Sequence, residues 1–278
     1  FGTGIEYKRI SPGYQTLGTY YFQEDFQNIT LKMNISTPKN KVRFNGSGGI
    51  QTNNLNGLRE STRSRKIINT TLMLSPWKTF NTTIRVANFQ SDRTTSCNRI
   101  NDSIKFTQTT SNYSIMPVFM LKREKKYTTI SAMVNYQKLI DLGLNLQGYS
   151  GIDNYTGNLN VSMYDKSTDV NIMASLLYNK NIMGLNENRR IGLNGTYAIK
   201  VLKKKMSLSG NLGYMVNTLN NASDGFTITT NVRMNYKIKR KISAGINGNI
   251  LFRNSTIQNY QEFRATARVS YHFTTKKS

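Results

Sequence analysis

The stretch FTITTNVRMNYKIKRKISAGINGNILFRN, residues 226–254, alternates apolar and polar side chains in two segments that a short basic segment joins. In the first segment, alternate positions on one side are Phe226, Ile228, Thr230, Val232, Met234, Tyr236 and Ile238. The positions between them are Thr227, Thr229, Asn231, Arg233, Asn235 and Lys237. Because side chains alternate between the two faces of a strand, this period predicts a β-hairpin with one apolar and one polar face. The fold then depends on which face points outward.

The same period recurs along the chain and predicts fourteen strands. These are 3–9, 26–37, 42–53, 66–76, 79–91, 106–121, 127–138, 155–164, 169–180, 189–200, 206–218, 226–237, 242–253 and 261–273. Residues 142–148 offer an additional short strand as an alternative to a loop. Most of the segments are longer than the five or six residues usual in a soluble sheet, and their length approaches the roughly 9 to 11 residues with which a tilted strand crosses a bilayer.

Short and long connections alternate between the predicted strands. The short ones are rich in lysine, as in KREKK (122–126) and LKKK (202–205). The long ones include 53–65, 91–105 and 139–154. Hairpins in series therefore place all tight turns at one end of the strands and all long loops at the other. Outer-membrane barrels show this asymmetry, with short turns on the periplasmic side.

The polar faces of the predicted strands carry mostly Asn, Thr, Ser and Gly, together with basic residues. Acidic residues on these faces are few, Glu6 and Glu262 among them. Small amide and hydroxyl side chains suit a water-filled lumen, so we expect the apolar faces to contact lipid. The basic residues expected to line the lumen are Lys32, Arg43, Arg85, Arg190, Lys200, Arg233, Lys237, Arg253, Arg264 and Arg268.

Composition excludes several other classes of protein. Only 37% of the 278 residues are hydrophobic. The longest nearly apolar run, 115–121, falls far short of the roughly 20 residues that a membrane-spanning helix needs. Cys97 and His272 are the only residues of their types, so the sequence predicts no disulfide, no metal site and no cofactor. His272 and Ser270 alternate on the last strand without an acidic residue to orient the histidine, and we therefore expect no enzyme activity.

The formal net charge of +24 leaves a second hypothesis open. A soluble basic β-protein that binds nucleic acid or another polyanion would place its basic residues along a groove, with aromatic residues beside them. Here many of them fall in the short turns, so we expect no nucleic acid partner. An outer-membrane enzyme is a minor alternative.

The segment SPGYQTLGTYYFQED, residues 11–25, differs from the other long loops because it is aromatic and nearly uncharged until its end. It is either an ordered outer loop, a constriction folded into the lumen, or a contact for another protein. The residues that would form such a constriction or contact are Tyr14, Tyr20, Tyr21 and Phe22.

The last predicted strand, QEFRATARVSYHF, alternates apolar residues and ends near Tyr271 and Phe273. It resembles the C-terminal insertion signal of bacterial outer-membrane proteins, although TTKKS follows it. This resemblance implies assembly by the barrel-insertion machinery. The opening GIEYKRISPGYQTLGTYYFQEDFQNITL resembles a segment of outer-membrane barrels of Bacteroidota, which commonly lie beside larger transport or secretion assemblies.

The sequence thus predicts an all-β, transmembrane, antiparallel up-and-down β-barrel of about fourteen strands. We expect one domain over residues 1–278, either a whole protein or the membrane part of a longer one, in the bacterial outer membrane. The expected function is non-enzymatic. It is a pore with a basic lumen, or a membrane-embedded component of an envelope transport or secretion complex, with outer-membrane lipid and other envelope proteins as partners.

Overall fold

A computed structural model describes residues 1–13, 25–95, 106–142, 150–239, 242–256 and 258–271. Its strands are β1 (Gly2–Ile10), β2 (Phe26–Ser36), β3 (Val42–Asn53), β4 (Ser61–Trp77), β5 (Phe80–Thr95), β6 (Phe106–Arg123), β7 (Lys126–Leu142), β8 (Ser150–Asp165), β9 (Val170–Met183), β10 (Asn186–Val201), β11 (Met206–Leu219), β12 (Ala222–Lys239), β13 (Ile242–Asn254) and β14 (Tyr260–Tyr271). A 3-10 turn, Pro38–Asn40, follows β2. Among the described residues, no helix has the length and apolar character needed to span a bilayer.

The strands form one 14-stranded sheet in which spatial order follows chain order from β1 to β14. This topology confirms the predicted all-β, up-and-down architecture and its strand number. Several strands are longer than predicted, since β4 begins at Ser61 and β8 at Ser150. Alternating hydrophobicity identifies only the part of a strand with an apolar face. Strand ends composed of Ser, Thr and Arg continue the backbone hydrogen bonding but show no alternation of apolar and polar residues.

The chain divides into two compact units. The first comprises Phe1–Pro117, Val134–Tyr155 and Asn181–Asn186, and the second comprises Val118–Met133, Thr156–Lys180 and Glu187–Ser278. In the first unit the register is defined for β1–β5, and in the second for β10–β14.

Residues in the left-handed backbone conformation form the short turns. Lys39 and Asn40, after β2, have φ of 63° and 52°. Leu202, Lys203 and Lys204, between β10 and β11, have φ of 53°, 54° and 68°. Consecutive positive φ angles suit tight hairpins, because the twist of such turns matches the right-handed twist of the flanking strands. These two lysine-rich connections are therefore tight turns, as predicted.

In the second unit, cross-strand pairing separates an apolar face from a polar face. One row on the apolar face is Leu193, Tyr214, Ile228 and Phe252, from β10 to β13. One row on the polar face is Thr196, Asn211, Asn231, Asn249 and Arg264, from β10 to β14. Paired residues share a face, so the period read from the sequence is preserved across five strands.

The first unit has the same two faces. On its apolar face, Ile35, Phe44, Leu72 and Ile84 follow one another from β2 to β5. On its polar face, the neighbouring row is Asn34, Asn45, Thr71 and Arg85. Each unit therefore presents a continuous apolar surface on one side of its strands.

Many large side chains on the apolar faces are exposed in the part of the chain that the structure describes. Leu212, Phe263 and Val269 are 60%, 72% and 75% exposed, although all three are large hydrophobic residues of the second unit. In the described part of the chain, Phe26 is the one hydrophobic residue that is buried. A soluble domain places such side chains in its core, whereas these strands keep them on the surface.

Candidate functional site

The polar faces contain the basic residues that the sequence assigned to a lumen. In the first unit, the register places Lys32, Arg43 and Arg85 on one face. In the second unit, the residues that share the polar face are Arg190, Lys200, Arg233, Lys237, Arg253, Arg264 and Arg268. Within each unit, these residues therefore lie on the same face, as residues that line a channel must. The channel itself stays a prediction.

Two of these basic residues have acidic partners on the same face. Lys32 forms an ion pair with Glu6. An Arg264 nitrogen lies 2.7 Å from Glu262 Oε1, and the Tyr260 hydroxyl donates to Glu262 Oε2 at 2.8 Å. The other predicted lumen residues have no ion-pair partner in the described part of the chain. Eight of the ten predicted lumen residues therefore have no carboxylate within ion-pair distance among the described residues.

Asparagine side chains hydrogen-bond across the polar face of the second unit. Asn211 Nδ2 donates to Asn194 Oδ1 at 2.7 Å and to Thr196 Oγ1 at 3.3 Å. Asn231 Nδ2 donates to Asn247 Oδ1 at 2.9 Å and also to Asn249. Amide groups both donate and accept, so they satisfy one another without charge and leave a polar surface that water can wet.

A hollow of about 320 Å³ lies on the same polar face. Asn194 and Asn211 line it together with the apolar side chains of Leu177 and Met215. Gly213 keeps it open, because a Cβ there would lie 2.6 Å from Thr229 Oγ1. The hollow thus combines amide groups with apolar surface.

Aromatic residues cluster on the apolar faces toward the long loops. In the first unit, the Tyr136 ring stacks on Tyr113 and Tyr155, with centroid distances of 6.2 and 4.8 Å. The Tyr136 hydroxyl donates to Asp153 Oδ1 at 2.7 Å. Tyrosines with an apolar ring and a bonded polar tip suit the interface between hydrocarbon and headgroups.

A polar cluster connects three short turns of the second unit. The Lys122 ammonium lies 5.6 Å from the centre of the Tyr127 ring, which stacks on Tyr164 at 6.2 Å. The Tyr164 hydroxyl donates to Asp169 Oδ1 at 3.0 Å, and Asp169 Oδ2 lies 2.9 Å from Lys204 Nζ. Hydrogen bonds from Lys204 and then Tyr164 lower the pKa of Asp169. The same carboxylate raises the pKa of Lys204.

The aromatic residues proposed for a constriction, Tyr14, Tyr20, Tyr21 and Phe22, lie outside the described residues, as does Phe273 of the insertion signal. Tyr271 is paired with Ile242 on the apolar face and is 51% exposed. Within the described ranges, no group of three His, Cys, Asp or Glu residues could hold a metal ion.

One arrangement that sequence reasoning missed joins two long loops of the first unit. The Asp25 carboxylate is 1% exposed, and Arg59 Nε lies 2.8 Å from its Oδ2. The Leu55 backbone nitrogen donates to Asp25 Oδ1 at 2.9 Å. Asp25 and Arg59 belong to different loops, so no local pattern marks them as partners.

Comparison with known proteins gives one family match. Residues 178–256, which contain β10–β13, match the model of a family described as "Putative MetA-pathway of phenol degradation". The match covers well under half of the chain. A search of curated proteins found no match. The antiparallel 14-stranded fold and the family match are compatible with a bacterial outer-membrane β-barrel.

Proposed function

We propose that this chain is a non-enzymatic β-barrel of the bacterial outer membrane whose polar faces line an anion-favouring pore. The exposed apolar faces carry this proposal. Large hydrophobic residues such as Leu193 and Leu212, 62% and 60% exposed, need a hydrocarbon environment rather than water. Closure of the sheet would satisfy the backbone groups of its edge strands inside the membrane.

The charge of the polar faces supports anion preference. Arg190, Lys200 and Arg253 lie on the polar face of the second unit without an ion-pair partner among the described residues. Fixed positive charges beside a water-filled path raise the local concentration of anions and lower that of cations.

Planar-bilayer recording of the detergent-purified protein tests this function. We expect discrete conductance steps and an anion-selective reversal potential in a KCl gradient. The triple variant Arg190→Gln/Lys200→Gln/Arg253→Gln should lose most of the selectivity. The matched control, Lys39→Gln/Lys78→Gln/Lys125→Gln, removes the same charge from short turns and should keep most of it, since salt screens charges over about 10 Å.

Two outcomes contradict parts of the proposal. A protein that stays in solution without detergent, and whose electrophoretic mobility does not change with heating, would refute the membrane placement. A heat-modifiable membrane protein without conductance would refute the pore and favour a membrane-embedded component of an envelope complex.

The family match suggests a second class of cargo, small aromatic compounds of the phenol type. The hollow beside Leu177 and Met215 supports it, because apolar contacts and nearby amides suit a ring with one hydroxyl. Phenol added to one side of the bilayer should interrupt the current transiently. The variant Leu177→Gln/Met215→Gln should shorten these interruptions, whereas equal interruptions in both proteins would remove this candidate.

A further inference from the structure

The polar face of the second unit contains a cavity of about 540 Å³ across β12, β13 and β14. Six residues in two paired rows line it. Arg233, Asn247 and Thr266 form one row. Asn235, Gly245 and Arg268 form the next row toward the short turns. Ile246 and Ala267 complete the lining.

The two arginines occupy opposite corners of this cavity. They are separated by two strand spacings, about 10 Å, and by two residues along the strands, about 7 Å. An extended arginine side chain covers several ångströms, so both guanidinium groups can reach one small ligand at the centre. Guanidinium groups bind carboxylate and phosphate oxygens through paired N–H donors.

The centre of the cavity is kept free of side chains. A Cβ at Gly245 would lie 2.6 Å from Asn235 Oδ1, closer than real contacts of this kind. The glycine therefore lets Asn235 lie over the sheet and leaves an open floor between Arg233 and Arg268. A larger residue at position 245 would displace the asparagine and reduce the space.

Hydrogen-bond donors converge on this floor. Asn247 uses its Oδ1 to accept from Asn231 at 2.9 Å, which leaves its own NH₂ group to donate. The Thr266 hydroxyl is a further donor in the same row. Within the described ranges, neither Arg233 nor Arg268 has an acidic partner. Glu262, the acidic residue on the polar face of β14, is already bonded to Arg264 and Tyr260.

We propose that Arg233, Arg268, Asn247 and Thr266 form a binding site for a small oxyanion, a phosphate or carboxylate group. This site rests on the proposed function in one respect, because it requires the polar face to be in contact with water. Two fixed positive charges without a nearby acid favour a ligand with two negative charges, such as inorganic phosphate, over chloride. The cavity is large enough for the group to be attached to a small organic molecule.

Isothermal titration of the detergent-purified protein with inorganic phosphate tests the site directly. We expect saturable binding at one site per chain and weaker binding of acetate. Arg233→Gln and Arg268→Gln should each reduce the affinity at least tenfold. Arg233→Lys should recover only part of it, because lysine keeps the charge but not the paired donors.

Two further variants distinguish binding at this site from a general effect of positive charge and from a loss of folding. Arg123→Gln removes an arginine at the end of β6 and should leave phosphate affinity unchanged. Gly245→Ala should reduce it without a change in net charge. Heat-modifiable electrophoresis shows whether each variant keeps its fold, so a misfolded glycine variant leaves the arginine comparison intact.

The outcomes distinguish this site from the pore. Absence of saturable phosphate binding, or equal affinity in the two arginine variants and the wild type, overturns the site even if the protein conducts ions. Phosphate binding that depends on both arginines in a protein without conductance supports the site and refutes the pore.

Discussion

Asp25 and Arg59 form an ion pair that joins the loop before β2 to the loop after β3, with 2.8 Å between Arg59 Nε and Asp25 Oδ2. The carboxylate is almost completely buried, whereas the arginine is half exposed. Asn54 contributes to the same junction, since its backbone nitrogen donates to the Asp25 carbonyl at 3.2 Å and its side chain donates to the Arg59 carbonyl at 3.0 Å. A buried charge with several partners fixes the backbone around it, so this pair stabilises one conformation of residues 54–60.

Removal of the arginine should loosen this loop. Arg59→Gln removes the ion-pair partner of a buried carboxylate, which costs roughly 1–3 kcal/mol locally. We expect chymotrypsin to cleave at Leu55 or Leu58 at least several times faster in the variant under native conditions in detergent. Arg63→Gln, which changes an exposed arginine of β4, is the matched control. Equal cleavage rates in Arg59→Gln and the wild type would show that the pair does not hold the loop.

A charge on the apolar face should oppose membrane insertion. Leu212→Arg places a cation where a side chain is expected to meet hydrocarbon, at a cost of about 2–4 kcal/mol near the bilayer centre. We expect a large loss of the heat-modifiable form in the membrane fraction. Thr229→Arg adds the same charge at a neighbouring level on the polar face and should insert normally. Equal insertion of the two variants would contradict the assignment of the faces.

The sequence predicted the strands and the division of their faces because both depend on local alternation. Arg233 and Asn235 precede a turn in a strict period of two, so their common face follows from their spacing. Register across strands adds the pairs Arg233 with Asn247 and Asn235 with Gly245. The cavity depends on these cross-strand pairs, which cannot be read from the spacing of residues within one strand.

Other features depend on contacts between distant segments. Asp25 and Arg59 lie in long loops, where neither alternation nor a turn motif specifies a partner. Tyr127 is adjacent to a short turn. Its ring stacks on Tyr164, whose hydroxyl donates to Asp169 in another short turn. The position of an aromatic residue along a strand shows which end of the strand it lies near. The face it occupies depends on whether it is in step with the apolar or the polar residues of that strand.

The tyrosine stack on the apolar face of the first unit should contribute to stability. Tyr136→Phe removes the hydrogen bond to Asp153 and should cost about 1 kcal/mol. Tyr136→Ala also removes two aromatic contacts, each contributing about 0.5–1.5 kcal/mol beyond buried area. Urea unfolding in lipid vesicles, followed by tryptophan fluorescence, measures both. Tyr197→Phe is the control for loss of a hydroxyl on an apolar face. A Tyr136→Ala variant as stable as the wild type would contradict the predicted role of the stack.

The Asp169–Lys204 pair should make stability depend on pH at both extremes. The pKa of Asp169 is lowered below 3.8, chiefly by its bond with Lys204, so its contribution is present above pH 3.8 and is lost as the pH falls through the lowered value. The pKa of Lys204 is raised above 10.5, so the contribution is also lost as the pH rises through that value.

The difference in urea midpoint between the wild type and Asp169→Asn isolates this pair from the other titrating groups. We expect the wild type to be more stable at pH 7 and the difference to shrink below pH 3.8. Because Lys204 is 68% exposed, the difference should also decrease in 1 M salt, where screening acts over about 3 Å. Lys203→Gln, which changes the neighbouring lysine of the same turn, should keep the wild-type pH profile. A difference that stays constant from pH 7 to pH 2 would mean that the variant acts through the turn backbone and not through the carboxylate charge.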